Sequence, residues 1–340
     1  LPPAYEWSPE MISKLSEADL LLGRLGGEAR RLPNPHIFMR PFVSREAVFS
    51  SRIEGTQATL GELLAVEAGG QVERSPDDLR EVANYVAALE FGIKRLAELP
   101  LSLRLIREMH EILMSGVRGD HATPGKFRTS QNWIGSAGCT LNEAKFVPPP
   151  PDSLGDLLSD WERFLHESKL PPLVTAAWMH YQFEAIHPFL DGNGRIGRLL
   201  ITLLLCEKQV LPGPFLYLSP FIEATRREYY DLLLAVSNDG NWEEWLRYFL
   251  NAVIRQSEDV LGRAERMNVL LEEWKFKIRS ISPKTAYDLV QLLAINPFVT
   301  ARKAQHALNA SYNSVNRSIA ALEKHGILNQ VNEAKRDRVY

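Results

Sequence analysis

Apolar positions recur at helical spacing along most of the chain. Leu15, Leu20, Leu21 and Leu25 follow Ser8-Pro9-Glu10, which supplies an N-cap, a proline at the first helical position and a first-turn acid, so residues 8–31 are predicted helical. Ser44-Arg45-Glu46-Ala47 opens a second helix running to about Glu54, where Gly55 is placed to cap it, and Thr59 starts a short third one. Further helices are predicted over Asp78–Leu96, Ser102–Met114, Ser153–Ser168 and Arg226–Asn238, and from Asn241 to Met267 or beyond. Val174–Ile186 is apolar on nearly every face and reads as a central helix, buried all round. Residues 125–150 break the pattern. Short β-prone pieces around a Gly/Ser turn predict a small hairpin, which Pro148–Pro151 ends.

Beyond Ser282-Pro283 the organisation recurs on a smaller scale, with helices over Lys284–Ala294, Thr300–Leu308 and Ser311–His325. Two β-prone runs follow, Ile327–Val331 and Lys335–Tyr340, and three helices before a hairpin describe a winged helix-turn-helix. The predicted fold is mainly α, with a small β-hairpin flap and a C-terminal winged helix. Its regions are a helical N-terminal part (1–100), a core (101–281) and the winged helix (282–340).

Composition narrows the class. The 340 residues are 45% apolar and 24% charged, ordinary for a globular chain with ample length for a large core. No run approaches a membrane span, and the start has neither the basic nor the apolar region of a signal peptide. The two cysteines, Cys139 in a predicted loop and Cys206 in a predicted core helix, do not suggest a disulfide framework. A cytoplasmic protein without a membrane partner is expected. The net charge of −3 is unevenly spread: residues 282–340 carry +4, which points to a C-terminal module suited to acidic partners.

The chemistry is concentrated in His187-Pro188-Phe189-Leu190-Asp191-Gly192-Asn193-Gly194-Arg195-Ile196-Gly197-Arg198, between two core-forming apolar segments. Pro188 is expected to hold His187 extended and to end the preceding helix. Gly192-Asn193-Gly194 can turn tightly and present successive N–H groups to an anion. The apolar run from Ile196 makes a helix whose N-terminal N–H groups aim at the same place. Arg195 and Arg198, three apart, can both face it. Asp191 offers a hard oxygen ligand for Mg²⁺, and His187 a base near working pH. Together these suggest a polyphosphate cradle with an imidazole poised to activate a nucleophile for attack on phosphorus.

Singly, each feature has a plainer reading: a turn histidine, a turn, a solvated arginine pair. The chemical rival is a metal hydrolase with His180, His187 and Asp191 as ligands, which leaves Asn193 and both arginines idle. Ser50 and Glu54 share a helix face and read by themselves as a solvated polar stripe. Neither common nucleotide-binding glycine motif is present.

The twelve residues resemble the signature of the Fic-domain family, His-x-Phe-x-Asp/Glu-Gly-Asn-Gly-Arg-x-x-Arg, without departure. Gly125-Lys-Phe-Arg128 through Trp133-Ile134-Gly135 and Phe146-Val147-Pro148-Pro149 resemble its lead-in and flap. Ser50-Ser-Arg-Ile-Glu54-Gly55 resembles the inhibitory motif of the subclass in which that helix precedes the core. The resemblance implies AMP transfer from ATP to a Ser, Thr or Tyr hydroxyl of a protein, releasing pyrophosphate. His187 would be the base and Asp191 the Mg²⁺ holder. Asn193 with the Gly192 and Gly194 backbone would fix the α-phosphate, and Arg195 and Arg198 would hold the β- and γ-phosphates, with Gly197 in the same loop-helix unit. Phe189 would anchor the loop. Gly194 favours AMP transfer, because relatives with Lys there resemble kinases. Glu54 would pair with Arg198 and deny it to the γ-phosphate. Ile134, Gly135, Lys145 and Phe146 would receive the target as an added strand, and Tyr229 and Tyr230 would line the adenosine pocket. The family also suggests self-modification and a homodimer. The winged helix could dock DNA or protein. Two alternatives stay open: removal of AMP with Glu54 positioning a water, and a DNA-binding regulator whose Fic domain senses nucleotide.

Overall fold

The computed structural model of the chain describes residues 5–31, 35–70, 76–117, 123–136, 138–279, 284–332 and 338–340. Through them run α1 (Pro9–Arg31), α2 (Pro35–Ile53), α3 (Leu60–Glu67), α4 (Pro76–Arg95), α5 (Leu103–Leu113), α6 (Leu154–Glu167) and α7 (Pro172–Ile186). They continue with α8 (Asn193–Glu207), α9 (Ser219–Ala224), α10 (Arg226–Asp239), α11 (Trp242–Ile278), α12 (Lys284–Ile295), α13 (Ala301–Leu308) and α14 (Tyr312–Lys324). Strand-like pairing among the described residues amounts to two isolated antiparallel bridges, Ile134–Phe146 and Thr300–Val339. The mainly helical prediction holds.

The centre is α7 against α8, with α6, α10 and α11 packed on α7, and α2, α4 and α5 on α8. As its composition predicts, α7 is buried nearly all round, including Trp178, Met179, His180 and Phe183. The N-terminus of α8, and with it the twelve-residue stretch, is thereby fixed in the main core. That core ends at Val260, and a second one gathers Leu271 and Ile278 of α11 with α12, α13 and α14. The 37-residue α11 runs through both.

Three expectations change. The second helix begins at Pro35 rather than Ser44 and passes through Pro41, which lies in its second turn. A proline there forfeits one backbone hydrogen bond near the helix start, a loss that packing on α4 and α9 offsets. α8 begins at Asn193, three residues before Ile196, because the Asn193 side chain closes the preceding loop. The predicted flap hairpin is reduced to Ile134 N–H donating to Phe146 O (2.9 Å) and the return bonds to Ile134 O, closed by a 3₁₀ turn at Leu141–Glu143. The second β-prone run of the C-terminal region falls partly outside the described residues; Val331 N–H donates to Val339 O, and Val299 and Tyr340 exchange two bonds.

The C-terminal helices do not stand apart. α12 packs on α2, Asn296 Nδ2 donates to Leu64 O (2.9 Å), and Thr300 Oγ1 donates to Ala68 O (3.0 Å). No helix among the described residues is long and apolar enough to cross a membrane.

Candidate functional site

The turn from α7 to α8 is built from its ends inward. His187 caps α7 in the left-handed conformation (φ 50°, ψ 61°), its N–H donating to Phe183 O, so Pro188 does not hold it extended as expected. Arg128, buried, secures this cap: Nε donates to His187 O (2.9 Å), Nη2 to Ile186 O, and its own N–H to Pro188 O. Phe189 is wholly buried and stacks on the His110 ring (3.7 Å between centroids, 4° between planes). Asn193 ties the loop shut, with Oδ1 accepting from Phe189 N and Nδ2 donating to Phe189 O, both 2.8 Å. Its amide is thus spent on loop shape. Gly192 takes φ 79°, and a Cβ there would lie 2.9 Å from Met114 Sδ.

His110 is a positioning residue that the sequence reading passed over. Gly125 N–H donates to its Nδ1 and its Nε2 faces Asp191 O, 2.9 Å each, so the ring is neutral with the proton on Nε2. Burial lowers its pKa to about 4. The signal was a histidine on the apolar face of α5, beside Met109 and Leu113.

The His187 ring lines the cavity. Its Nδ1 lies 3.2 Å from Glu184 O, an acceptor, so Nδ1 carries the proton and Nε2 keeps a free lone pair. Burial lowers its pKa to about 4, leaving it an unprotonated base at neutral pH.

The two arginines diverge. Arg198 faces the cavity and is held from α2 and the residue that follows it: Nε donates to Ser50 Oγ (2.8 Å), and Nη2 to Ser50 O (3.0 Å) and Glu54 Oε1 (2.7 Å). Ser50 and Glu54 are therefore not a solvated stripe. Burial works to raise the Glu54 pKa, but Arg198 outweighs it and holds the carboxyl below its usual range. Gly55, at φ 103°, turns the chain away from the end of α2. Arg195 is buried on the other side of the loop, near Glu81 (3.7 Å), Asp191 (3.5 Å) and Met114 Sδ, with Nε and Nη1 lacking any hydrogen-bond acceptor. Asp191 is half exposed, its Oδ1 accepting from Gly192 N.

Gly194 and Gly197 are small for different reasons. A Cβ on Gly194 would lie 2.3 Å from Glu54 Oε1, so the Glu54 carboxylate and residue 194 share one space. A Cβ on Gly197 would lie 2.4 Å from Glu184 Oε1 and 3.3 Å from the His180 ring. Gly197 therefore serves the α7–α8 crossing, where Glu184 and His180 approach it.

The cavity holds about 780 Å³, a volume suited to a small-molecule ligand. Glu54, Glu184, His187, Gly194 and Arg198 line one part, and Tyr181, Tyr230, Leu233, Leu234 and Ser237 another. The flap residues Ile134, Gly135, Lys145 and Phe146 border it. Tyr229 and Tyr230 differ: Tyr229 is buried with its hydroxyl 2.8 Å from His180 Nε2, whereas Tyr230 is 40% exposed. Both nitrogens of His180 are occupied, by Gly197 O and Tyr229 OH, so the rival set of His180, His187 and Asp191 is not assembled.

Fold and site together define a helical protein in which the N-terminus of α8 meets a cavity lined by a neutral histidine. Comparison with known proteins gives the family. A profile described as Fic/DOC family N-terminal matches residues 12–94, and one described as Fic/DOC family matches 100–205. The chain belongs to the Fic/DOC family. It is 30% identical over 202 residues to "Protein adenylyltransferase Fic" of Drosophila persimilis, covering 58% of this chain and 36% of that protein. It is 30% identical over 242 residues to "Protein adenylyltransferase fic-1" of Caenorhabditis briggsae, covering 66% and 44%. The chain thus spans less than half the length of these relatives. A Fic family protein from Desulfovibrio desulfuricans shares the fold over 100% of this chain and 97% of that one, with TM-score 0.67 and 21% identity. Fic-1 from C. elegans matches over 74% of each chain, with TM-score 0.57 and 26% identity.

Proposed function

We propose that the chain moves AMP from ATP to a hydroxyl of a target protein, and that in the folded state described above it restrains itself. The observation that carries the chemistry is the His187 tautomer, with Nδ1–H held by Glu184 O and Nε2 free beside the start of α8. Nε2 takes the proton of the target hydroxyl as that oxygen attacks the α-phosphorus. The bond from that phosphorus to the oxygen bridging to the β-phosphate breaks, and pyrophosphate leaves. First-turn N–H groups of α8, in the helix opened by the Gly192–Asn193 turn, hold the α-phosphate. Arg198 takes the terminal phosphates. Arg195, buried with Nε and Nη1 making no hydrogen bond and Nη1 3.7 Å from Glu81, supplies positive charge beneath the loop.

Asp191 fits a Mg²⁺ ion: it is a half-exposed hard carboxylate beside the phosphate seat, and the ion takes one or two carboxylates with phosphate oxygens. When bound, Mg²⁺ neutralises phosphate charge. The bordering flap, with Ile134 and Phe146 paired backbone to backbone, suits an extended target segment.

Self-restraint rests on the Ser50 and Glu54 contacts to Arg198, which occupy the fork a γ-phosphate would use. The test is to incubate wild type and Glu54→Gly with ATP and Mg²⁺, alone and with lysate proteins, and weigh the products. AMP added by the variant supports the reading; no AMP on any protein overturns it.

A further inference from the structure

The apolar run of α7 carries one carboxyl into the cavity, that of Glu184. It stands one turn before His187, and its main-chain carbonyl accepts the His187 Nδ1–H. Its Oε1 is buried and has no hydrogen-bond partner. The seat exists because residue 197 is glycine, whose missing Cβ leaves the space that Oε1 occupies. A buried polar oxygen left unpaired costs free energy, and a ligand that engages this carboxyl would offset part of that cost.

We propose that Glu184 is a nucleotide-contacting residue, whose carboxyl gives a hydrogen bond to an oxygen of the ATP bound in this cavity. The inference rests on reading the cavity as an ATP site and adds a residue that no signature position supplies. Several charged or titratable groups neighbour Glu184. Arg198 comes from α8, Glu54 from the end of α2, Arg226, Tyr229 and Tyr230 from α10, and His180 and His187 from the α7 segment. Burial raises the Glu184 carboxyl to about 8; Arg198 works against that shift and Glu54 reinforces it. The group is then a neutral acid at pH 7, able to donate to an anionic ligand where a carboxylate would repel it. The negative charge of ATP favours the protonated form further. Affinity therefore falls as pH climbs through about 8, approaching a tenfold loss between pH 7 and pH 9 when only the acid form binds. Gln at this position keeps a donor at every pH.

The experiment is calorimetric titration of ATP with Mg²⁺ into the full chain at pH 7 and pH 9, for wild type, Glu184→Gln and Glu184→Leu. Wild type is expected to lose about tenfold affinity at pH 9. Glu184→Gln is expected to hold its affinity across both, and Glu184→Leu to bind at least about fivefold more weakly at pH 7 with its melting transition retained. A Glu184→Gln profile that follows wild type, or a Glu184→Leu that binds ATP as wild type does, overturns the inference alone. A wild type that binds no ATP at either pH overturns the ATP reading, and the inference with it.

Discussion

Replacing Glu54 with Gly removes one carboxylate from Arg198 and leaves the other two contacts in place. The pair is 2.7 Å long, the arginine side chain is 2% exposed, and a third of the Glu54 side chain meets solvent. A hydrogen bond to a charged group contributes about 1.5–3 kcal/mol, and partial exposure puts this one near the lower end. If ATP must displace about 2 kcal/mol of contact to reach its productive pose, removing it raises the productive fraction roughly thirtyfold. The variant should therefore transfer AMP at least tenfold faster than wild type, measured as labelled AMP incorporated at saturating ATP. It should also melt a few degrees lower without nucleotide, because a buried guanidinium has lost its counter-charge. ATP should then restore more of the melting temperature in the variant than it adds to wild type, since a phosphate refills the same fork. Equal transfer rates, with ATP bound equally by both proteins, would refute the assignment of Arg198 as the restrained group.

Four further outcomes follow from the same geometry. His187→Ala in the Glu54→Gly background should keep ATP affinity within about threefold while losing transfer by at least 10²-fold, checked by calorimetry and single-turnover assay. Gly194→Ala should destabilise the wild type by about 1–3 kcal/mol, because its Cβ meets Glu54 Oε1 at 2.3 Å. That cost should shrink in a Glu54→Gly double-mutant cycle followed by chemical denaturation. The third outcome concerns acid. Folding lowers the pKa of His110 and His187 to about 4 and of His180 to about 3, below the unfolded value of 6.5, so these groups lose stability as pH falls through 6.5. Glu184, raised to about 8, binds a proton in the folded state and offsets one of the three. Net uptake on unfolding of roughly two protons gives a loss of about 2–3 kcal/mol per pH unit between pH 6 and 5, measurable as urea midpoints; a flat profile would contradict three histidines held neutral in the fold. Finally, Asn296→Ala with Thr300→Val removes two bonds from the C-terminal helices to the α3 segment that follows α2. Loosening that brace should raise transfer in wild type but add nothing to Glu54→Gly, as read by AMP incorporation.

The helices were legible because each carries its own period and end signals: Thr59 as a capping box for α3, Thr300 as the N-cap of α13, Gly326 after α14. The α7–α8 turn was legible as a unit because its residues are consecutive. What local pattern hid was the partnership of groups far apart in the chain, which for Glu54 and Arg198 only the family resemblance supplied. Ser50 and Glu54 share a helix face, but nothing local says that the face meets a buried arginine 144 residues on. Among the described residues the β-prone pieces of the flap meet in one bridge and a turn. His110, Arg128 and Glu184 were present as polar residues in or beside apolar segments. That signal marks a buried polar role without naming its partner, which only the packing supplies. His187 escaped the rule that a residue before proline is extended, because capping α7 and the hold of Arg128 on its carbonyl outweigh that local preference.

In the proposed function Arg198 is where restraint and chemistry meet, and its hydrogen bonds would divide the two roles. Glu54 supplies one contact from just beyond the end of α2, partly in solvent and removable. Ser50 supplies two from inside the helix, through its hydroxyl and its carbonyl, and is itself fully buried. Beneath it a second buried cluster fixes α2: the Glu46 carboxyl accepts from Tyr85 OH of α4 (3.0 Å) and from both Ser219 N and Oγ of α9. Burial raises the Glu46 pKa while Arg198 and these donors oppose it, so the cluster resists ionic rearrangement. Withdrawing Glu54 alone therefore leaves the guanidinium held by Ser50 in its present orientation, with the vacated fork open to a phosphate. A whole-helix displacement would free Arg198 entirely and cost it that orientation. The economical release is local, a swing of the Glu54–Gly55 end, and Gly55 at φ 103°, with open space around it, is the hinge such a swing requires.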